Sequence, residues 1–539
     1  MKRPGPARPP FPFPFPFRLP FFGPNLSGCL ILSLIVSLLG CGSNAPKASG
    51  EAASSPASPR PSAGGPDPST SADPVPGEFS LPTQQPYPEA KDTLSWDVPW
   101  TGLGDNPATG GNGQSGDTAL GTAQVRPPPY SLPSGSRPEG IIQRPRPKGL
   151  PDRMHVLLSR SPKALSLYSL GEMQVFSEVI GESGVGKTVT VSKLANLKGR
   201  IVVRRAGAGF TIDQSGKASV TASTRKLRLI SVNPYNLVDV NGSVYRGSLH
   251  LIGESDGDIS TVNVLGVEDY LRGVLPYELG TVDREALEAL KAQAIVARTY
   301  AYKRMMRPSA RDFHLYSDVQ DQVYKGVRSE YLLSDRAVWE TRGMAVGHAD
   351  SLAICYYFST CSGRTASKHE VWGGDSIPYL VSRPDNDVMG DPYCQASRYS
   401  SWKEEWSGKQ LTGILRRNLR SASVSGAPDF TVLQGIEVAQ RASCGRIRQL
   451  TLKTDKGLIT VKGDKVRWAL RPGATENKIL PSSSFVVKMA DGKVTAQGKA
   501  FGHGVGLCQF GSIARARAKQ TYKQIIEAYY TDVHIVEFR

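Results

Sequence analysis

Three places in this 539-residue sequence carry side chains that do chemistry. Gly181-Glu182-Ser183-Gly184-Val185-Gly186-Lys187-Thr188 satisfies the phosphate-loop pattern in full. In that pattern, backbone N–H groups and a lysine cradle nucleotide phosphates where a loop leaves a strand and opens a helix. Glu278 stands between Leu275-Pro276-Tyr277 and Leu279-Gly280, an apolar, loop-like setting that withdraws a carboxyl from water. Desolvation raises a carboxyl's pKa, and a carboxyl protonated near neutral pH is a general acid. The residue type equally allows Glu278 to cap a helix or to form a surface ion pair. His503 lies in Phe501-Gly502-His503-Gly504-Val505-Gly506, where closely spaced glycines let the backbone approach a ligand or another strand. Its imidazole either polarises a substrate group or makes a structural hydrogen bond.

The elements around each site decide among these readings. Val189-Thr190-Val191-Ser192 is a β-branched run that predicts a strand where a phosphate loop needs a helix, and no hydrophobic strand ending in a metal-binding Asp follows. The motif therefore reads as a Gly-rich turn between two strands. Short Val-, Ile- and Leu-rich runs at His155–Leu158, Met173–Val179, Arg200–Arg204, Leu227–Val232 and Val244–Ile252 predict strands, which make residues 151–260 a small β-rich domain. Leu287, Leu290, Ala294, Ala297 and Ala301 have helical spacing and predict a helix over Glu285–Met306, capped by Asp283. Its narrow, Ala-rich stripe implies that another backbone packs close, and Lys291 is expected on its solvated face. Further helices are predicted at Ser334–Arg342 and Tyr522–Tyr530, with strands at Leu352–Phe358, Arg448–Lys453 and Ser484–Met489. The fold class is α+β, and residues 261–539 form a mixed domain.

The N-terminus assigns a compartment. Lys2, Arg3, Arg8 and Arg18 precede an apolar run from Leu30 to Leu39, too short to span a bilayer comfortably and suited to a signal peptide. The run ends at Leu38-Leu39-Gly40-Cys41, which resembles a bacterial lipobox, so residues 1–41 are expected to direct export and Cys41 to be acylated. Gly42 rather than Asp after that cysteine favours the outer membrane in a cell that has one. Residues 42–150 are rich in Ser, Pro, Gly and Ala without apolar periodicity, and are expected to be a disordered tether. The exported part retains Cys355, Cys361, Cys394, Cys444 and Cys508, an odd number that leaves at least one unpaired and includes no C-x-x-C pair. The formal charge of +17 implies an anionic environment or partner, whether lipid, wall polymer or nucleic acid. No nucleic-acid-binding module is recognisable, so no nucleic acid is expected.

The segment from Asn263 to Glu278, running on through Glu285-Ala286-Leu287 to Arg298-Thr299-Tyr300-Ala301, closely resembles the SpoIID/LytB family of peptidoglycan proteins. Matching pieces follow in family order: Tyr245-Arg246-Gly247 upstream, then Asp318 to Tyr324, Thr341-Arg342-Gly343-Met344, Ser359-Thr360-Cys361-Ser362-Gly363-Arg364-Thr365, Val371-Trp372-Gly373-Gly374 and Phe501 to Gly511. The resemblance runs from about Met154 to the C-terminus. It implies a lytic transglycosylase acting on MurNAc-GlcNAc glycan strands stripped of stem peptides, with Glu278 as the catalytic acid. A hydrolase of glycosides ordinarily needs two carboxylates. A lytic transglycosylase manages with one, because the sugar's own 6-hydroxyl attacks the anomeric carbon and gives a 1,6-anhydro end. The alternative implied by other members is a non-catalytic wall-binding protein that recruits or enhances an amidase.

Gln293, Arg298, His503 and Gln509 are the substrate-binding candidates that go with this resemblance. Arg298 suits the lactyl carboxylate of the muramic sugar, since guanidinium matches carboxylate geometry, or else a buried ion pair. Gln509 suits a sugar-binding or loop-fixing amide. Cys508 stands where the family usually has Ser. Phe358 stands where it usually has a His, which in some members binds zinc together with nearby Cys. Cys361 and His369 alone leave that ligand set incomplete, so a Cys361–Cys394 disulfide is expected and no metal or other cofactor.

Overall fold

The computed structural model describes residues 140–538 except 184–185, 233–236, 310, 422–423, 425–428 and 472–478. The expected leader, the lipidation candidate Cys41 and nearly all of the expected tether lie outside the described residues. The tether's end needs correction. Ile141–Arg144 is already a strand, paired in parallel with Ile535–Phe538. A four-residue strand completed by a partner almost four hundred residues away leaves no periodicity for a composition argument to detect.

The β-rich part is one large sheet. Its main path runs Leu315–Tyr316, Met154–Pro162, Asp258–Leu265, Ser248–Gly253, Lys226–Ser231, Ala164–Ser183, Gly186–Ala206, Gly209–Gln214 and Val220–Ala222. The pairing is antiparallel except where Leu315–Tyr316 joins. The predicted strand over Val244–Ile252 is two strands, Ser243–Arg246 and Ser248–Gly253, broken at Gly247. The phosphate-loop octet straddles a hairpin, with Gly181 opposite Thr188 and Glu182 opposite Lys187, and the Thr188 hydroxyl donates to Gly181 O at 3.3 Å. No helix follows it, as the β-branched run predicts.

Helices α1 (Val267–Glu278), α2 (Leu287–Met305) and α3 (Leu332–Glu340) follow the sheet, then the short α4 (Lys368–Trp372). Helices α5 (Gly408–Ser421) and α6 (Lys465–Ala469) come next, and α7 (Gln509–Arg517) and α8 (Tyr522–Tyr529) lie near the end. Asp283 caps not α2 itself but the 3-10 turn Arg284–Ala286 that leads into it, its carboxylate accepting from Ala286 N at 3.3 Å. Helix α2 is buried on every face rather than along one stripe, from Ala289 and Leu290 through Gln293 and Arg298 to Met305. Its alanines let α1, α3, α7 and α8 close in around it, and one hydrophobic core runs continuously from the sheet through these helices. Lys291 is not solvated but pairs with Glu288 and Glu340, both at 2.8 Å.

A second core, unforeseen in the 261–539 segment, is built from Trp406, Leu411, Leu415, Phe430, Leu450, Val461 and Val494 among others. It packs α5 and α6 against two antiparallel three-stranded sheets. Polar contacts join it to the first core: Glu370 accepts from Ser443 N at 2.8 Å, and the buried Arg446 donates to Gly502 O at 2.9 Å.

Candidate active site

Glu278 is the last residue of α1 and not part of a loop, which corrects the sequence expectation. Glu268 and Asp269 favour the positive end of this helix, Pro276 falls in its final turn, and Leu279 N–H closes it on Leu275 O. The carboxyl at its negative end meets three neutral donors. Val323 N–H reaches Oε1 at 3.1 Å, the Gln509 amide reaches Oε2 at 3.4 Å, and the Tyr357 hydroxyl also bonds to it. Among the described residues, no cation pairs with Glu278. Burial raises its pKa to about 7, opposed by those three hydrogen bonds. The carboxyl is therefore half protonated near neutrality and equipped with donors for the moment it becomes an anion.

Three distant segments deliver these donors. Tyr357 and Gln509 arrive together, because Tyr357–Phe358 pairs in parallel with Leu507–Cys508 and α7 starts at the next residue. The Tyr530 hydroxyl clamps this pair, donating to Tyr356 O at 2.6 Å while accepting from Leu507 N at 3.3 Å. Gln322, fully buried, sits behind Tyr357: its amide donates to the Tyr357 hydroxyl at 3.0 Å and to Ala297 O at 3.3 Å, and it accepts from Tyr270 at 3.1 Å. Its neighbour Asp321 is committed elsewhere, to Arg304 at 2.9 Å, Tyr300 at 2.7 Å and Tyr316 N at 2.9 Å. Of these two carboxyls, Glu278 is the one without a cation beside it among the described residues. Tyr277, the residue before it, is half exposed.

Of the residues singled out from the sequence, Gln509 joins Glu278 and the others take different places. Arg298 is completely buried and grips Glu268 in a two-pronged pair at 3.0 and 2.6 Å, with further bonds to Met344 O and Val338 O. It has no donor left to face a ligand from solvent, so the lactyl-carboxylate role is withdrawn in favour of the buried pair. Glu268 also accepts from Gly343 N at 3.3 Å, which explains the Thr341-Arg342-Gly343-Met344 motif as part of the same lock. Gln293 is fully buried, and its amide has no partner among the described residues. His503 lies among aromatic rings, with ring centroids 4.9 Å from Trp372 and 5.5 Å from Phe358. Its Nδ1 accepts from Val505 N at 3.1 Å, and burial lowers its pKa to about 4, so it is neutral. Side chains alternate along a strand, so Tyr356 and Phe358 turn toward His503 while Tyr357 turns toward Glu278. His503 and Glu278 occupy opposite sides of that strand.

The expected Cys361–Cys394 disulfide is absent. The sulfurs are 3.5 Å apart and both thiols are free, whereas a disulfide needs about 2.0 Å. Phe358 offers no ligand atom to a metal, since its side chain is a phenyl ring. Tyr357 and Gln322 were not singled out from the sequence. Gln322 and Val323 do fall inside the Asp318–Tyr324 motif, a signal that marked the segment without revealing its role.

The family model for the stage II sporulation protein, SpoIID, matches residues 255–348, which include Glu268, Glu278, Arg298 and Gln322. A domain of unknown function, DUF8618, matches residues 393–506, a span that contains the second core. The chain is 31% identical over 300 residues to an uncharacterized protein of Brachyspira hyodysenteriae, covering 56% of this chain and 74% of that one. It is 28% identical over 301 residues to the amidase enhancer of Bacillus subtilis, covering 50% of this chain but 40% of the enhancer. It is also 28% identical over 313 residues to stage II sporulation protein D of Bacillus amyloliquefaciens, covering 55% of this chain and 79% of that protein.

Proposed function

The chain belongs to the SpoIID/LytB family, and from that premise we propose that it is a peptidoglycan lytic transglycosylase with Glu278 as its single acid and base. The observation that carries this reading is the environment of Glu278: a desolvated carboxyl with no cation beside it, a pKa near 7, and three neutral donors in contact. As an acid, the protonated carboxyl gives its proton to the glycosidic oxygen between MurNAc and GlcNAc as the bond to the anomeric carbon breaks. The carboxylate left behind is stabilised by Val323 N–H, Gln509 and Tyr357. It then takes the proton of the muramic 6-hydroxyl as that oxygen attacks the anomeric carbon, which closes the 1,6-anhydro ring and restores the acid. One carboxyl serves both halves, and water adds to neither product.

The substrate on this reading is denuded glycan, as the family resemblance implies. We place the chain outside the cytoplasm, acylated at Cys41 and joined to a membrane by its long N-terminal segment, in the outer membrane where there is one. The relative named amidase enhancer favours a second reading, in which the chain binds glycan and stimulates an amidase without cutting. Glu278→Gln separates the two. General acid–base catalysis is typically worth about 10²–10⁴-fold, so release of anhydro-muropeptides from denuded glycan should fall by about that factor. Undiminished digestion by the variant refutes the enzymatic reading. A wild type that releases no anhydro product yet accelerates an added amidase establishes the second.

A further inference from the structure

We propose that Cys361, Cys394, Cys508 and Asp385 form a buried site for one zinc ion, which fastens the strand pair that presents Tyr357 and Gln509 to Glu278. The site holds whether or not Glu278 cuts glycan. The four ligand atoms lie within 4.8 Å of one another, and all four residues are buried. A tetrahedral ion with metal–sulfur bonds of about 2.3 Å sets its sulfurs about 3.8 Å apart, close to the 3.5 Å between Cys361 and Cys394 and far from a disulfide bond length. The Asp385 carboxylate completes the set, its Oδ2 lying 3.1 Å from the Cys361 sulfur.

Backbone donors converge on the sulfurs as they do around metal-bound cysteines. Each sulfur accepts a backbone N–H: Cys361 from Gly363 at 3.3 Å, Cys394 from Ser362 at 3.1 Å and Cys508 from Gly511 at 3.4 Å. Two of these donors are aimed by a tight turn in which Ser362, unusually for a residue with a Cβ, and Gly363 both take positive φ, 62° and 93°. Partners of the second shell orient ligands and tune a metal, and Asp385 has them. Arg515 Nε donates to Oδ1 at 2.9 Å, and the buried Tyr529 hydroxyl bonds the same carboxylate at 3.0 Å. Gly511 permits this approach, since a Cβ there would fall 2.4 Å from Asp385 Oδ2. Three thiolates and a carboxylate outweigh a divalent ion by two negative charges, and Arg515 together with the N–H donors offsets part of that excess. Soft sulfur donors in a tetrahedral, closed set select zinc over magnesium or calcium. The ligands come from three separated parts of the chain, so the ion would pin Ser359–Gly363, Asp385–Cys394 and the start of α7 to one point.

The full chain purified without chelator, assayed for metal content and for thiol alkylation before and after denaturation, tests this. One zinc per chain, with Cys361, Cys394 and Cys508 blocked to alkylation until chelator and denaturant are added together, is the expected result. Cys394→Ser should lose the zinc. Because that variant risks misfolding, cobalt replacement of zinc in the wild type provides a second reading: a thiolate-to-cobalt charge-transfer band with tetrahedral d–d absorption is expected. Metal-free protein with a Cys361–Cys394 disulfide in its peptide map overturns the proposal. So does reduced, metal-free protein that gives no thiolate band with cobalt.

Discussion

At the scale of residues, the site is organised around a conflict that Glu278 is made to bear. Burial and the negative end of α1 oppose its anion, while Val323 N–H, Gln509 and Tyr357 favour it, and the balance lies near pH 7. The sign of the resulting linkage is fixed. A carboxyl whose folded pKa is raised costs nothing where it is protonated in both states, below about pH 4.5. The cost grows as pH rises and is complete above about pH 7. Glu278→Gln should therefore be as stable as wild type near pH 4 and more stable above pH 7, by on the order of 1–3 kcal/mol. Paired thermal melts across this range check the prediction, and equal stability at both ends would refute a raised pKa. Activity should show the matching acid limb, with kcat/KM falling about tenfold per pH unit above pH 7. The same scale explains why part of the site was legible. An acid in an apolar setting is visible in Leu275-Pro276-Tyr277-Glu278-Leu279. Arg298 was ambiguous because its partner Glu268 lies thirty residues away on another helix, and the spacing within α2 says nothing about it.

At the scale of elements, the parallel pair Tyr357–Phe358 with Leu507–Cys508 is the platform of the site. Gly506 sets its spacing. With φ at +81° it takes a conformation that side chains resist, and a Cβ there would come 2.0 Å from Tyr356 O. Gly506→Ala should cost roughly 1–2 kcal/mol for the left-handed backbone and 1–3 more for overpacking, about 2–5 kcal/mol in all. It should also lower activity without touching Glu278, because Tyr357 and Gln509 move with the strands. A denaturant melt and a glycan digest check both parts, and a variant of wild-type stability contradicts the platform. Such pairings of residues 150 apart are invisible to periodicity, which is why Tyr357 was missed. Helix α1 escaped for a different reason: Gly273 and Pro276 argue against a helix locally, and packing overrides them. Helix α2 was legible because regular Leu and Ala spacing needs no partner to be read. Leu411, Ile414, Leu415 and Leu419 carry similar spacing for α5, a signal that lies between the predicted strands at Leu352–Phe358 and Arg448–Lys453.

At the scale of the whole molecule, the two cores divide the work. The first carries Glu278 and its donors. The second clamps the glycine-rich loop through Arg446, whose guanidinium lies where a Cβ on Gly504 would fall. The α+β class was readable from composition and periodicity. The second core was not, since it is closed by contacts between α5, α6 and strands scattered over ninety residues. On the proposed reading this assembly uses one carboxyl and no water to break a glycosidic bond. The most direct test is digestion of denuded glycan by the full chain in water enriched in oxygen-18, with mass spectrometry of the released sugars. We predict 1,6-anhydro ends carrying no label, and their loss with Glu278→Gln. Reducing ends that carry one oxygen-18 would contradict the account.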